Sequence, residues 1–156
     1  MTSLLGIRPM AGQQDAEWCA RIMSTSEPWI TLGRGYDKSL EIIQHPEREV
    51  WIAWRGEARA GFLVLNLKGA FVGYVQTICM SADARGRGLG TELLAFGEER
   101  IFRDFPNVFL CVSSFNPRAR ALYERLGYET IGVLRDYVVR GHDEILMRKT
   151  RGPLTA

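Results

Sequence analysis

Lysine, histidine and cysteine are all scarce in this chain of 156 residues, and each scarcity narrows what the protein can be. The two histidines, His45 and His142, and the three cysteines, Cys19, Cys79 and Cys111, lie far apart with no CxxC pair. Neither a zinc site nor a disulfide framework is favoured, and no metal is expected. The cysteines read better as small buried hydrophobes. No stretch approaches the roughly 18 apolar residues of a membrane span, and the start of the chain lacks the basic flank and apolar run of a secretory signal. A cytoplasmic protein with no membrane partner is the expectation. Three lysines stand against 17 arginines, and the formal net charge is only +2. That charge is too small to suggest bulk binding to nucleic acid. Arginine grips phosphate in a bidentate way, and a high arginine share also follows from the base composition of a source genome.

What is present is an ordinary globular composition, 46% hydrophobic and 24% charged, at a length suited to one compact domain. No repeat or low-complexity linker interrupts it, so residues 1–150 are expected to form one domain and 151–156 a tail. A short strand over 4–10 precedes a helix over 13–25 that turns Trp18, Ile22 and Cys19 inward. A loop containing Gly33 and Gly35 leads to a second helix over 36–44, which His45-Pro46 ends. Strands follow over 49–55, 59–67 and 71–81, with turns at Gly56-Glu57 and Lys68-Gly69. Beyond Ser81 the hydrophobic period changes from two to about 3.6. Leu89, Leu93, Leu94, Phe96 and Ile101 share one arc of a helix over 88–103. A strand over 107–113 is followed by Asn116-Pro117, an N-cap and a first-turn proline. Ala119, Leu122, Tyr123 and Leu126 then recur at helical spacing up to a stop at Gly127. Strands over 128–140 and 143–149 finish the chain. The order β-α-α-β-β-β-α-β-α-β-β implies an α/β (α+β) fold, a mixed sheet with helices on its faces.

Chemistry concentrates at Ala84-Arg85-Gly86-Arg87-Gly88-Leu89-Gly90-Thr91, between a strand and an amphipathic helix. Alternate glycines let several backbone N–H groups converge, and the helix N-terminus adds positive potential. A plain glycine turn is the competing reading, and Arg85 and Arg87 add charge where an anion would sit. A P-loop is excluded by spacing and by the missing lysine. A dinucleotide fingerprint fails as well, because Thr91 and Leu93 occupy the positions a third glycine would need.

Arg85-Gly86-Arg87-Gly88-Leu89-Gly90 resembles the acetyl-CoA loop of the GNAT superfamily of N-acyltransferases. Asn116, Ala119, Tyr123, Gly127 and Tyr128 match that superfamily's second motif. The resemblance implies a mostly antiparallel sheet of about seven strands with helices on both faces, and acetyl-CoA as co-substrate. It implies that the amides from Arg87 through Gly88, Leu89 and Gly90 to Thr91 hold the pyrophosphate, with Arg85 and Arg87 facing the phosphates and the Thr91 hydroxyl as an added donor. Gly86 belongs to the same loop. The strand ending Ile78-Cys79-Met80 would splay from residues 109–112 and let the pantetheine arm pair with exposed main chain. A backbone N–H near Cys79 or Met80 would serve the oxyanion, and Asn116 would reach the pantetheine or cap its helix. Tyr123 is implied as the general acid for the leaving thiolate, although its spacing alone fits simple packing.

The residues 74–80 contain no carboxylate where many relatives carry a glutamate base. Gln76 or Thr77 can only orient a water, so a proton path ending on Asp83, His142, Asp143 or Glu144 is one solution and an acceptor of low pKa another. Trp29 and Tyr36 are candidates for the wall of an amine site, or for closing the core. Arg34 and Arg140 are candidates for meeting an acidic group. The resulting expectation is an acetyl-CoA-dependent N-acetyltransferase acting on a protein N-terminus or a small amine by direct attack in a ternary complex. A non-catalytic acyl-CoA-binding module and a nucleotide-binding protein are the rivals. Relatives of this kind often form homodimers through their C-terminal strands, and that option stays open here.

Overall fold

In the computed structural model, residues 4–155 are described, so residues 1–3 of the N-terminal segment and the last residue of the expected tail lie outside the described residues. Seven strands form one sheet in the order β1-β2-β3-β4-β5-β7-β6. The strands are β1 (Gly6–Pro9), β2 (Arg48–Arg55), β3 (Ala58–Asn66), β4 (Tyr74–Met80), β5 (Asn107–Ser113), β6 (Glu129–Val139) and β7 (His142–Thr150). The helices are α1 (Gly12–Ser24), α2 (Tyr36–Ile43), α3 (Leu89–Phe102) and α4 (Pro117–Arg125). Every neighbouring pair is antiparallel except β4 with β5, which run parallel. The element order is the expected one, with a short 3-10 turn over Ala82–Ala84 added before the glycine loop.

The layering follows from where the apolar side chains point. On β3, Phe62, Leu63, Val64 and Leu65 are all fully buried. A continuous apolar run of this kind belongs to a strand covered on both faces. Phe62 and Val64 meet Ala16, Cys19, Ala20 and Met23, the inward face of α1 at helical spacing, and Ile43 of α2. Leu63 and Leu65 meet Leu89, Leu93, Leu94 and Ile101 of α3 on the other side. Asp15, itself buried, accepts from the Ala11 N–H at 2.8 Å and pairs with Arg59 Nε at 2.8 Å, which ties the start of α1 to β3.

Two local features open the sheet. Between the pairs Val64↔Thr77 and Leu65↔Val75, β4 carries one extra residue, Gln76, with no counterpart on β3. A bulge of this type bends its strand and re-aims the side chains beyond it. The β4–β5 ladder ends at the same place: its pairs are Tyr74↔Phe109 and Val75↔Leu110, and none follows. The two strands therefore diverge from Gln76 and from Cys111 onward. The expected splay from residues 109–112 is corrected at its near end, because Phe109 and Leu110 are still paired and the gap opens only beyond them.

The third central strand begins at Tyr74 rather than at residue 71, because Gly73 has φ +96° and interrupts the extended chain. Phe71 stays outside it, packed against Phe109 with ring centroids 5.2 Å apart and the planes tilted by 54°. A Cβ at Gly73 would run into the Asn107 carbonyl oxygen, a backbone atom that cannot swing away. Gly73→Ala should therefore cost on the order of 2–3 kcal/mol, from left-handed strain plus displacement of β5. The expected fall in Tm is roughly 5–10 °C, read by thermal denaturation, and a change under about 1 °C would show that β4 and β5 can slip apart without cost.

Candidate active site

The gap between β4 and β5 opens into a cavity of about 660 Å³ that runs from one face of the sheet to the other. This is the size range of small-molecule and cofactor sites. On the α3 side its wall is formed by Ile78 and Met80 of β4, Leu110 and Val112 of β5, and Asn116, Ala119, Leu122 and Tyr123 at α4. On the opposite face lie Tyr74 and Gln76, Cys111 and Ser113, Glu144 of β7, and Tyr137. Trp29 and Arg34, from the loop joining α1 to α2, close that end.

α4 explains how Tyr123 reaches the cavity. Its apolar residues fall at helical spacing, yet none is fully buried. Ala119, Tyr123 and Leu126 pack against the α3-side core at one edge, while Ala119, Leu122 and Tyr123 face the cavity at the other. The ring of Tyr123 meets Tyr128 edge-on with centroids 5.9 Å apart, and no hydrogen bond to its hydroxyl is formed among the described residues. Burial pushes the phenol pKa upward, so the hydroxyl holds its proton at neutral pH. Asn116 lines the cavity and caps α4, accepting from the Ala119 N–H at 3.2 Å, so the capping role has direct geometric support.

The glycine loop sits beyond the open end of β4. Gly88 is the N-cap of α3 in the left-handed region, φ +75°, with no side-chain cap on the helix. The first intrahelical bond is donated by Glu92, to the Gly88 carbonyl at 3.2 Å. The N–H groups of Leu89, Gly90 and Thr91 are thus free of helical partners and point out of the helix end, the arrangement that binds anions. Leu89 contributes its amide only, since its side chain is 2% exposed and anchors the helix in the core. Arg87 is exposed and free of hydrogen bonds and ion pairs among the described residues.

Arg85 behaves differently from Arg87. Its Nε donates to the Met80 carbonyl at 3.2 Å and its Nη2 to Ser26 Oγ at 2.8 Å. The guanidinium is folded back over the end of β4, on the cavity wall, and joins that strand to the end of α1. Cys79 is buried beneath it, and desolvation pushes its thiol up to about 12, so it stays a protonated core group.

Of the acceptor-side candidates, Trp29 and Gln76 line the cavity and Tyr36 does not. Tyr36 opens α2 and is 37% exposed, outside the cavity wall. Gln76, at the bulge, accepts from Arg48 Nε at 2.6 Å, which holds its amide in place. Arg34 lines the cavity and Arg140 does not. Among the four carboxylate or imidazole groups considered for the proton path, only Glu144 is on the cavity wall. Asp83 accepts from Ser81 Oγ at 2.9 Å, Asp143 from the Asp136 N–H at 3.1 Å, and His142 stacks edge-on against Phe115.

Tyr74, Arg48 and Ser113 belong to the site and were not signalled by motif. Tyr74 carries no motif letter, and only the parallel pairing of β4 with β5 brings its hydroxyl beside Cys111, Tyr137 and Glu144. Among the described residues no group of three or more His, Cys, Asp or Glu side chains is placed to hold a metal ion, and no helix is long and apolar enough to cross a membrane.

Comparison with known proteins agrees with this geometry. Residues 15–128 match the family model described as Acetyltransferase (GNAT) family. An uncharacterized N-acetyltransferase of Methanocaldococcus jannaschii is 32% identical over 110 residues, covering 60% of this chain and 70% of the relative. Blasticidin-S acetyltransferase of Streptomyces morookaense is 33% identical over 79 residues, covering 46% of this chain and 58% of the relative. The chain spans from 21% to 58% of the length of three of the curated relatives it matches. In structure it is similar to spermidine N-acetyltransferase from Vibrio cholerae in complex with CoA and spermine, with TM-score 0.75, 18% identity and coverage of 96% of this chain and 97% of that one. At that identity the likeness concerns the fold alone.

Proposed function

This chain belongs to the GNAT acetyltransferase family, and from that premise we propose that it transfers an acetyl group from acetyl-CoA to a primary amine by direct attack in a ternary complex. The observation that carries the reading is the cavity through the β4–β5 gap. A thioester entering from the glycine loop and an amine entering from the opposite face would meet where the strands part. The pyrophosphate is held by the amides at the start of α3 and by Arg87. The pantetheine arm occupies the gap, bonding main chain along Ile78, Cys79 and Met80 on the edge of β4 that faces away from β3, in place of a strand. Tyr123 donates its proton to the departing thiolate, and a β4 amide near Cys79 or Met80 faces the oxyanion.

The test is calorimetric titration with acetyl-CoA, CoA, ATP and NAD, followed by an amine panel read by released thiol. Binding of acetyl-CoA and CoA but not ATP or NAD is expected, with turnover of at least one amine. Absence of CoA binding would overturn the proposal, and CoA binding without any turnover would identify an acyl-CoA-binding module instead.

The charges on the wall bear on the acceptor. Arg34, Arg48 and Arg85 stand against only Glu27 and Glu144. A second or third ammonium on the substrate meets this arginine excess, and each close like-charge pair costs about 1 kcal/mol or more. A peptide α-amine or other mono-amine should therefore exceed spermine in kcat/KM by about tenfold or more. A preference for spermine in the same thiol-release assay would reverse this assignment.

A further inference from the structure

Glu144 is 6% exposed and its cross-strand partner Ser113 is 4% exposed. Glu144 Oε2 and Ser113 Oγ are both buried with no well-formed hydrogen bond among the described residues, the hydroxyl lying near enough only to favour the carboxylate form, and both side chains line the cavity on its acceptor face. Unpartnered buried polar groups are rare because each costs the full desolvation of its charge or dipole. Two side by side on a cavity wall mark a position completed by a polar ligand. A positively charged amine fits a carboxylate there, with the Ser113 hydroxyl beside it.

We propose that Glu144 is the proton acceptor for the incoming amine, filling from β7 the role for which β4 has no carboxylate. The inference rests on the acetyltransferase reading above. The ammonium gives one proton to the Glu144 carboxylate. The freed nitrogen lone pair forms a bond to the thioester carbonyl carbon, and the carbonyl electron pair moves to oxygen. As that pair returns, the C–S bond breaks and the thiolate takes the Tyr123 proton. The second nitrogen proton goes to the Tyr123 phenolate, and the proton on Glu144 leaves to solvent, so the products are the amide, CoA thiol and one proton.

The surroundings suit the task. Burial raises the carboxyl pKa, opposed in turn by the Ser113 hydroxyl, Arg34 and His142. Tyr74 and Cys111 also face the group from β4 and β5, both protonated at neutral pH because burial raises each of them. A carboxylate made more basic by burial accepts a proton from an ammonium more readily than an exposed one.

The decisive experiment compares Glu144→Gln, Glu144→Asp and the unaltered protein in thiol-release kinetics with a tripeptide α-amine between pH 6 and 9.5. At pH 7, Glu144→Gln should lose about 100-fold in kcat while acetyl-CoA affinity stays within about twofold. Near pH 9.5 the deficit should shrink below about tenfold, because an α-amine of pKa about 8 is already neutral there. Glu144→Asp should retain the pH dependence of the unaltered protein at a lower rate. A deficit constant across pH, or Glu144→Gln within about twofold at pH 7, overturns the proposal while leaving the acetyltransferase reading in place. Should Glu144→Gln fail to fold, as judged by circular dichroism, the Asp variant decides: a profile parallel to the unaltered one supports the assignment, and a pH-independent rate overturns it. If the unaltered protein turns over neither the tripeptide nor any amine of the panel, both readings fall together.

Discussion

Tyr123→Phe should lower kcat for acetyl transfer about 10³-fold while acetyl-CoA binds within about twofold of its original affinity. The substitution removes one oxygen and leaves the ring, so the edge contact with Tyr128 and the packing of α4 on the α3-side core persist. What disappears is the only phenol of α4 on the cavity wall. Proton delivery by a positioned side chain contributes about 10²–10⁴-fold. Burial raises the phenol above its ordinary value of 10.0. The donor is therefore protonated throughout the neutral range, and kcat of the unaltered protein should show no fall on the alkaline side below about pH 10. Stopped assays of thiol release give kcat, and calorimetry gives the affinity. Parallel losses in both would mean that Tyr123 only packs. Alanine is the wrong replacement for this question, because deleting the ring adds a cavity cost of about 3–5 kcal/mol to whatever the hydroxyl supplies.

Much of this site is visible along the chain because its parts are local. The glycine loop, the Asn116 cap and the Tyr123 position each sit within a few residues of a turn or helix start, where glycine, proline and asparagine have direct conformational meaning. Strand β5 spans the predicted 107–113 at both ends, since a turn signal bounds it on each side. The parts that are hidden depend on pairing between distant strands. A bulge inserts one residue into a register, and nothing about Gln76 as a letter distinguishes it from its paired neighbours. Arg85 sits in the phosphate motif, yet it turns back to Met80 and Ser26 because the carbonyl at the end of a parting strand needs a donor. The proposed proton acceptor is half legible. Along the chain Glu144 is one of four candidates, with Asp83, His142 and Asp143, and only the sheet, which places β7 beside β5 and Glu144 opposite Ser113 at the gap, separates it from the others. Tyr36 shows the converse: an aromatic residue beside a glycine is eligible for a binding wall, and Tyr36 stands at the start of α2 outside the cavity lining.

Gly88→Val should weaken acetyl-CoA binding more than 100-fold without unfolding the domain. Gly88 holds φ +75° and a Cβ there meets no heavy atom within 4 Å, so the space is open and the objection is conformational. A β-branched residue in the left-handed region is a genuine outlier, at a cost of roughly 1–2 kcal/mol. The loop can relieve that strain by rotating the peptide units at the start of α3. Rotation turns away the amides of Leu89 and Gly90 that the proposed pyrophosphate site uses, and two charge-assisted hydrogen bonds lost at about 1.5–3 kcal/mol each exceed the factor of 100. The added side chain also projects into the space the phosphates would fill, since that is the open side. Gly69→Val supplies the control. Gly69 lies in the connection between β3 and β4 with φ +95° and equally open surroundings, at the other end of β4 from the loop. It carries a similar backbone penalty outside the cavity lining, so its Tm should fall by a similar amount, roughly 2–8 °C, with CoA affinity intact. Equal loss of affinity in both variants would mean that binding tracks global stability, and the assignment of the phosphate site to the start of α3 would fail. Loss confined to Gly88→Val ties the anion to this loop and explains why a chain of modest net charge needs only one arginine there without a protein partner, Arg87, beside three helical amides.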